Sequence, residues 1–117
     1  MTAKTTIDAG LRERMVQAVE ESTGVHRSDW LDFDGYGRRK PHRVIARTLL
    51  ACLMRESDTA LKCIARELRY DDHSTVVYLI QKHNDRLDMV GGRVIDPDYQ
   101  TLWTVTRTAY YEGANKL

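Results

Sequence analysis

The chain has 117 residues, a length that supports one hydrophobic core and falls short of the size at which chains usually divide. Its 42% hydrophobic and 30% charged residues are ordinary for a globular protein, and no apolar run approaches the roughly 18 residues of a membrane span. A formal net charge of +1 excludes a global pull toward nucleic acid, so any such partner must be met by local charge. The polar start from Met1 to Asp8 lacks the apolar stretch and cleavage site of a secretory signal, which predicts a cytoplasmic protein. Cys52 and Cys63 are too few and too scattered for a disulfide framework or a zinc-ligand set, and are expected as reduced, half-buried core thiols.

In chain order, Asp8 is placed to cap a first helix whose Leu11, Met15, Ala18 and Val19 recur at helical spacing, with Gly24 to end it. Ser28 can cap a short turn containing Trp30 and Leu31. Asp32 to Lys40, with Gly35 and Gly37, has no period and reads as a loop with a basic end. Pro41 suits the first turn of a long helix in which Ile45, Leu49, Cys52 and Leu53 follow at three- and four-residue steps toward Glu56. Between Arg38 and Arg55 lie Arg38, Arg39, Lys40, Arg43, Arg47 and Arg55 without one acid, whereas acids outnumber Lys and Arg before Gly35.

Asp58 or Thr59 can cap the next helix, whose apolar face is Leu61, Ile64, Ala65 and Leu68. After the link Arg69-Tyr70-Asp71, Asp72 can cap another. There Val76, Leu79, Ile80, His83 and Leu87 line one side, and Ser74, Tyr78, Gln81 and Lys82 the other. Gly91-Gly92 break the chain, and Asp96-Pro97 start a last helix with Tyr99, Leu102, Trp103, Thr106 and Tyr110 facing inward. The expected fold is all-α, a compact bundle of five to six helices forming one domain over residues 1–117.

Two helices joined by about three residues, the second apolar inside and polar outside, are the raw material of a helix-turn-helix. The start of the second helix, Asp72-His73-Ser74-Thr75, suits a reading tip. A helix N-terminus presents free N–H groups and a positive dipole end to phosphate, while short polar side chains reach base edges.

The run Tyr70-Asp71-Asp72-His73-Ser74-Thr75-Val76 resembles the Gly-Arg-Asp-His-Thr-Thr-Val-like signature in the C-terminal DNA-binding domain of DnaA, the bacterial chromosomal replication initiator. Ala46-Arg47 through Arg55-Glu56 is similar to that family's Arg-rich helix, and Ser57 to Ile64 to its Ser-Leu-x-x-Ile entrance; the resemblance spans about Leu11 to Ala109. It implies an all-helical domain whose helix after Asp72 enters the major groove while the basic loop reaches the adjacent minor groove. By matching position Asp72, His73, Ser74 and Thr75 take the base-reading and adjoining roles, and Arg39 falls at the minor-groove arginine with Arg38 and Lys40 beside it. Arg47 and Arg55 match basic positions, Lys62 replaces a proline at the start of the motif, and Tyr78 and Lys82 lie farther along the reading helix.

The chain departs from the family at Asp71, where the family has arginine, at Arg69 and Tyr70, which replace the turn's glycines, and at Tyr78, where the family often has His. A length of 117 residues leaves no room for the initiator's ATPase, and no Gly-rich phosphate loop ending in Gly-Lys-Ser/Thr is present. No catalytic set, metal site or cofactor is expected. For His73 the bland reading is helix capping, for Arg38 to Lys40 a solvated loop, for Trp30, Trp103, Tyr99 and Tyr110 helix packing, and for His83 a core histidine. The expected function is sequence-specific binding of double-stranded DNA in replication control or transcription regulation, with room for a protein partner in either machinery. The alternative is a protein-interaction module that keeps the fold without DNA binding, favoured by Asp71, Asp72 and the near-neutral charge.

Overall fold

A computed structural model describes residues 3–32 and 40–114. The Asp8 carboxylate accepts from the Leu11 amide at 3.0 Å and starts α1 (Ala9–Thr23), which Gly24 closes at φ 72° with its amide on the Glu20 carbonyl. A single turn, α2 (Arg27–Trp30), follows. It is capped by the His26 ring, which accepts from the Ser28 amide, rather than by Ser28 itself. Pro41 opens α3 (Pro41–Glu56) as expected. Then come α4 (Leu61–Glu67), α5 (His73–Leu87) and α6 (Pro97–Ala114), with β1 (Met89–Val90) and β2 (Arg93–Val94) between the last two.

The expectation of an all-α bundle is met: among the described residues six helices surround one core, with only a two-stranded hairpin beside them. That hairpin lies where Gly91-Gly92 were expected simply to break the chain. Both glycines have positive φ, 58° and 77°, as a tight two-residue turn between antiparallel strands requires, and Val90 pairs with Arg93 across it.

One local expectation changes at the corner between α3 and α4. Neither Asp58 nor Thr59 caps α4; its N-cap is Ala60, without a side-chain bond. Asp58 instead takes a left-handed φ of 65°, and the N-terminal arm supplies the missing partners. The Lys4 amide donates to the Asp58 carbonyl at 2.6 Å and the Ala60 amide donates to the Lys4 carbonyl at 2.7 Å, pairing Lys4 with the buried Thr59. Arg66 Nη2 donates to the Thr5 carbonyl at 3.0 Å. Backbone groups of the arm thus pair with the backbone groups of the corner just ahead of α4.

Helix α3 is the axis of the molecule. The spacing of its apolar residues predicts one inward face, yet every residue from Ala46 to Met54 is buried, because α1, α2, α4, α5 and α6 all pack against it. Ala46 and Ala51 admit close neighbours, and buried Thr48 satisfies its hydroxyl on the Val44 carbonyl at 2.7 Å. Beyond it, α1 brings Met15, Val16, Ala18 and Val19, and α6 brings Tyr99, Trp103, Thr106 and Tyr110; Thr106 Oγ1 meets Ser22 Oγ at 2.6 Å between these two helices.

His83 of α5 is a core histidine, as expected, 6% exposed. Its Nδ1 is 2.5 Å from the Tyr99 hydroxyl, and its ring stands edge-on to Tyr99 and to Trp103 at a centroid distance of 4.6 Å. Burial disfavours the imidazolium and pulls the pKa from 6.5 down to about 4. Because the folded-state pKa is depressed, this contribution to stability is complete above about pH 6.5 and is lost as pH falls toward 4. The loss reaches about 3 kcal/mol at the lower end, at roughly 1.4 kcal/mol per pH unit. Urea unfolding of wild type and His83→Gln across that window should show a steep pH slope in wild type and a shallower one in the variant. Equal slopes would assign acid sensitivity to other groups, such as Glu13 and Glu20, which Arg27 holds below the usual carboxylate range through hydrogen bonds and charge.

Candidate nucleic-acid interface

The turn between α4 and α5 is built from backbone first. At the end of α4 the Tyr70 amide donates to the Ala65 carbonyl at 2.8 Å and the Arg69 amide to the Arg66 carbonyl at 3.1 Å, while Arg69 takes φ 61°. This nested pair around a left-handed residue is the Schellman ending, which usually uses glycine at the position of Arg69. The chain then turns into α5, where Asp72 Oδ1 accepts from the Ser74 amide at 3.0 Å. Hydrogen bonds from Ser74 are the main reason that the Asp72 carboxyl sits below its ordinary pKa. The Asp72 cap and the two-helix unit expected from the sequence are both in place.

Val76, Leu79 and His83 anchor α5 in the core and so fix which side chains face out. His73 and Ser74 are exposed at the tip, Thr75 is half-buried beside them, and Tyr78 is 55% exposed one turn on. The Lys82 ammonium lies 5.5 Å from the Tyr78 ring centroid, extending this polar edge along the helix. The tip separates two hollows. On one side Ser74, Thr75 and Tyr78 line a groove of about 820 Å³ with Pro41, Val44 and Tyr70, next to the start of α3. On the other, His73 lies against Lys62, Arg66 and Arg55 at a hollow of about 550 Å³. Arg66 was not singled out by sequence. Its signal was the four-residue spacing of Lys62 and Arg66, which puts two cations on one face of α4.

The run of cations from Arg38 to Arg55 divides by position. Lys40 is exposed at the N-cap of α3 and Arg55 is exposed near its end, whereas Arg38 and Arg39 lie outside the described residues. Arg43 is mostly buried against α2, donating through Nη2 to Asp29 Oδ1 at 2.7 Å and through Nε to the Asp29 carbonyl at 2.7 Å. Arg47, placed among the DNA-contacting residues by the resemblance, needs correction. It is 1% exposed, with Nε on the Trp30 carbonyl at 2.6 Å, its other nitrogens 3.4 Å from the Leu31 and Leu68 carbonyls, and its guanidinium over the Tyr70 ring. No polyanion reaches it there; its charge is spent on carbonyls that neighbouring helix ends leave unpaired.

Cys52 and Cys63 are both buried free thiols, and burial pushes the Cys52 thiol up to about 12, away from thiolate chemistry. Among the described residues no group of three His, Cys, Asp or Glu side chains is arranged to hold a metal ion. Nor is any described helix long and apolar enough to cross a membrane.

Two substitutions test this construction. Replacing Arg47 by Ala removes a buried cation and leaves three carbonyls, at the ends of α2 and α4, short of a donor, so stability should fall by about 3–5 kcal/mol in urea unfolding. Arg47→Lys should recover only part of that loss, because one ammonium cannot reproduce a planar fork. Arg69→Gly should act oppositely. Relief of the left-handed strain, about 1 kcal/mol, outweighs an exposed ion pair with Asp32 worth a few tenths. The gain should be larger in an Asp32→Ala background, where that pair is already gone, and the absence of any gain in both backgrounds would overturn the strain argument.

No family model matches the chain, and no curated protein or solved structure does so either.

Proposed function

We propose that the protein binds duplex DNA sequence-specifically through its helix-turn-helix, with the start of α5 in the major groove, in replication control or transcription regulation. The observation that carries this reading is the presentation of His73 and Ser74. They stand exposed at the first turn of a helix whose next residues, Val76 and Leu79, are locked in the core. A reading helix needs this combination of free polar side chains and a rigid mount. The likeness of Asp72-His73-Ser74-Thr75-Val76 to the replication-initiator signature supports it, and so do the exposed cations Lys40, Lys62 and Lys82 around the tip.

A second reading, an interaction module without DNA binding, is favoured by one specific feature. Asp71 and Asp72 are both exposed at the tip, where they repel phosphate, and Val77 and Tyr78 offer apolar surface beside them. The two readings separate on a titration with random-sequence duplex at two salt concentrations, because a DNA binder shows salt-sensitive background affinity and an interaction module shows none.

The tip itself is tested with duplexes selected from a random library. His73→Ala or Ser74→Ala should cost about 1–3 kcal/mol on the selected site and little on random duplex, since base contacts specify and phosphate contacts position. Thr75 is a poorer probe, being half-buried at the first turn, where its loss also touches folding. Folded His73→Ala and Ser74→Ala proteins that both discriminate like wild type would remove α5 as the reader.

A further inference from the structure

We infer that Arg55, Lys62 and Arg66, with the N-terminal arm as the wall, form a second phosphate-binding seat that grips the DNA backbone on the α4 side of the tip, away from Lys40 at the start of α3. The inference rests on the DNA-binding reading and adds to it a site on a different part of the chain. Its starting point is the hollow of about 550 Å³ that these three cations line together with His73, Ala3 and Thr5. No acidic side chain lines it, in a chain whose formal net charge is only +1.

Three cations from two elements converge on this hollow because of how the corner is tied. Lys4 bridges Thr59 through backbone bonds of 2.6 and 2.7 Å, which lays Ala3 and Thr5 along the hollow's edge. The Thr5 carbonyl then takes one Arg66 nitrogen at 3.0 Å, and the Thr59 carbonyl takes Arg55 Nη1 at 3.2 Å. Each guanidinium is thereby oriented by a neutral carbonyl and keeps its full charge and several further N–H donors. An internal salt bridge would have cancelled that charge. Lys62 completes the seat from the first turn of α4.

The chemistry that this seat recognises is the phosphodiester backbone of a duplex. The hollow is open; Ala3, Ala60, Leu61 and Cys63 make an apolar floor and wall, and the polar groups at its rim are the charge-assisted donors of Arg55, Lys62 and Arg66, as a backbone phosphate requires. His73 connects it to the reading tip, because the same residue lines this hollow and the adjoining one with Lys62 and Arg66, where Asp71 and Asp72 close the far side and leave the phosphate position to the acid-free hollow. With α5 in the major groove, phosphates flanking the groove on the α4 side fall to this seat, and those on the α3 side fall to Lys40.

The test is a salt titration of random-sequence duplex with wild type and with Lys62→Ala/Arg66→Ala, whose side chains are exposed and should leave the fold intact by circular dichroism. Loss of two phosphate contacts lowers the salt slope by about 1.8, so raising salt from about 50 to 200 mM should weaken the variant roughly tenfold less than wild type. A Lys62→Arg/Arg66→Lys variant, which keeps both charges, should retain most of the wild-type slope. Neutral methylphosphonate links placed along each strand of a selected duplex locate the contacts. Wild type should lose affinity at a run of phosphates on one flank that the Ala variant no longer senses, while its sensitivity on the other flank persists. A folded Ala variant with the wild-type slope overturns the seat and leaves the DNA-binding reading standing; wild type without any salt-sensitive binding overturns both.

Discussion

Arg47 holds together parts of the protein that have little else in common. Its guanidinium emerges from the middle of the buried helix α3 and meets the ends of two other elements, α2 at Trp30 and Leu31 and α4 at Leu68, while lying over Tyr70 in the turn. Helix ends expose carbonyls that intrahelical bonding cannot satisfy, and burying them without donors is costly. One planar, permanently charged group with five donors serves several of them at once. The consequence is geometric: the segment leading into the basic loop and the turn leading into α5 are referenced to the same side chain. Displacing either alone breaks a charge-assisted bond in the core.

This use of arginine changes what the charge pattern means. A run of six cations without an acid reads as a surface strip, yet Arg43 is clasped by Asp29, whose carboxyl Arg43 and then His42 hold below the usual range, and Arg47 is internal. What faces outward near the tip comes instead from four separate places: the start of α3, the end of α3, the α4 face bearing Lys62 and Arg66, and Lys82 on α5. A near-neutral protein can present a locally positive surface in this way, because the carboxylates Glu13, Glu20, Asp29 and Glu67 are matched by Arg27, Arg43 and Arg12 away from it.

Much of the fold was legible because its signals are local. Asp8, Gly24, Pro41 and Asp72 each act within four residues of where they stand, and the Val76, Leu79, His83 spacing named the inner face of α5 correctly. The features that escaped depend on partners distant in sequence. Thr59 and Ala60 gave no hint that Lys4 would bridge them, and nothing in the periodicity of α3 announced that five helices would surround it. Arg47 belongs with these, since a basic residue in a basic run carries no local mark of burial. At the candidate site, the start of α5 was visible as a cap followed by short polar residues. Arg66 was hidden because its orientation comes from the carbonyl of Thr5, 61 residues away.

The acidic pair at the tip follows from these constraints. Asp72 is required by the fold: its carboxylate closes the first turn of α5, where the helix dipole and the Ser74 donors favour the charged form. Part of its charge is therefore compensated by the helix itself. Asp71 has no such capping role and adds an exposed negative charge directly before α5. For a domain that reads bases with this tip, backbone affinity cannot come from the turn and must be drawn from its flanks, the Lys40 side and the Arg55, Lys62, Arg66 side. Separating attraction from reading in this manner lowers background binding more than it lowers discrimination, because phosphate contacts are common to every sequence and base-edge contacts are not. A near-neutral chain with an acidic tip is in this sense suited to a selective binder with modest background affinity, and less to one that coats DNA.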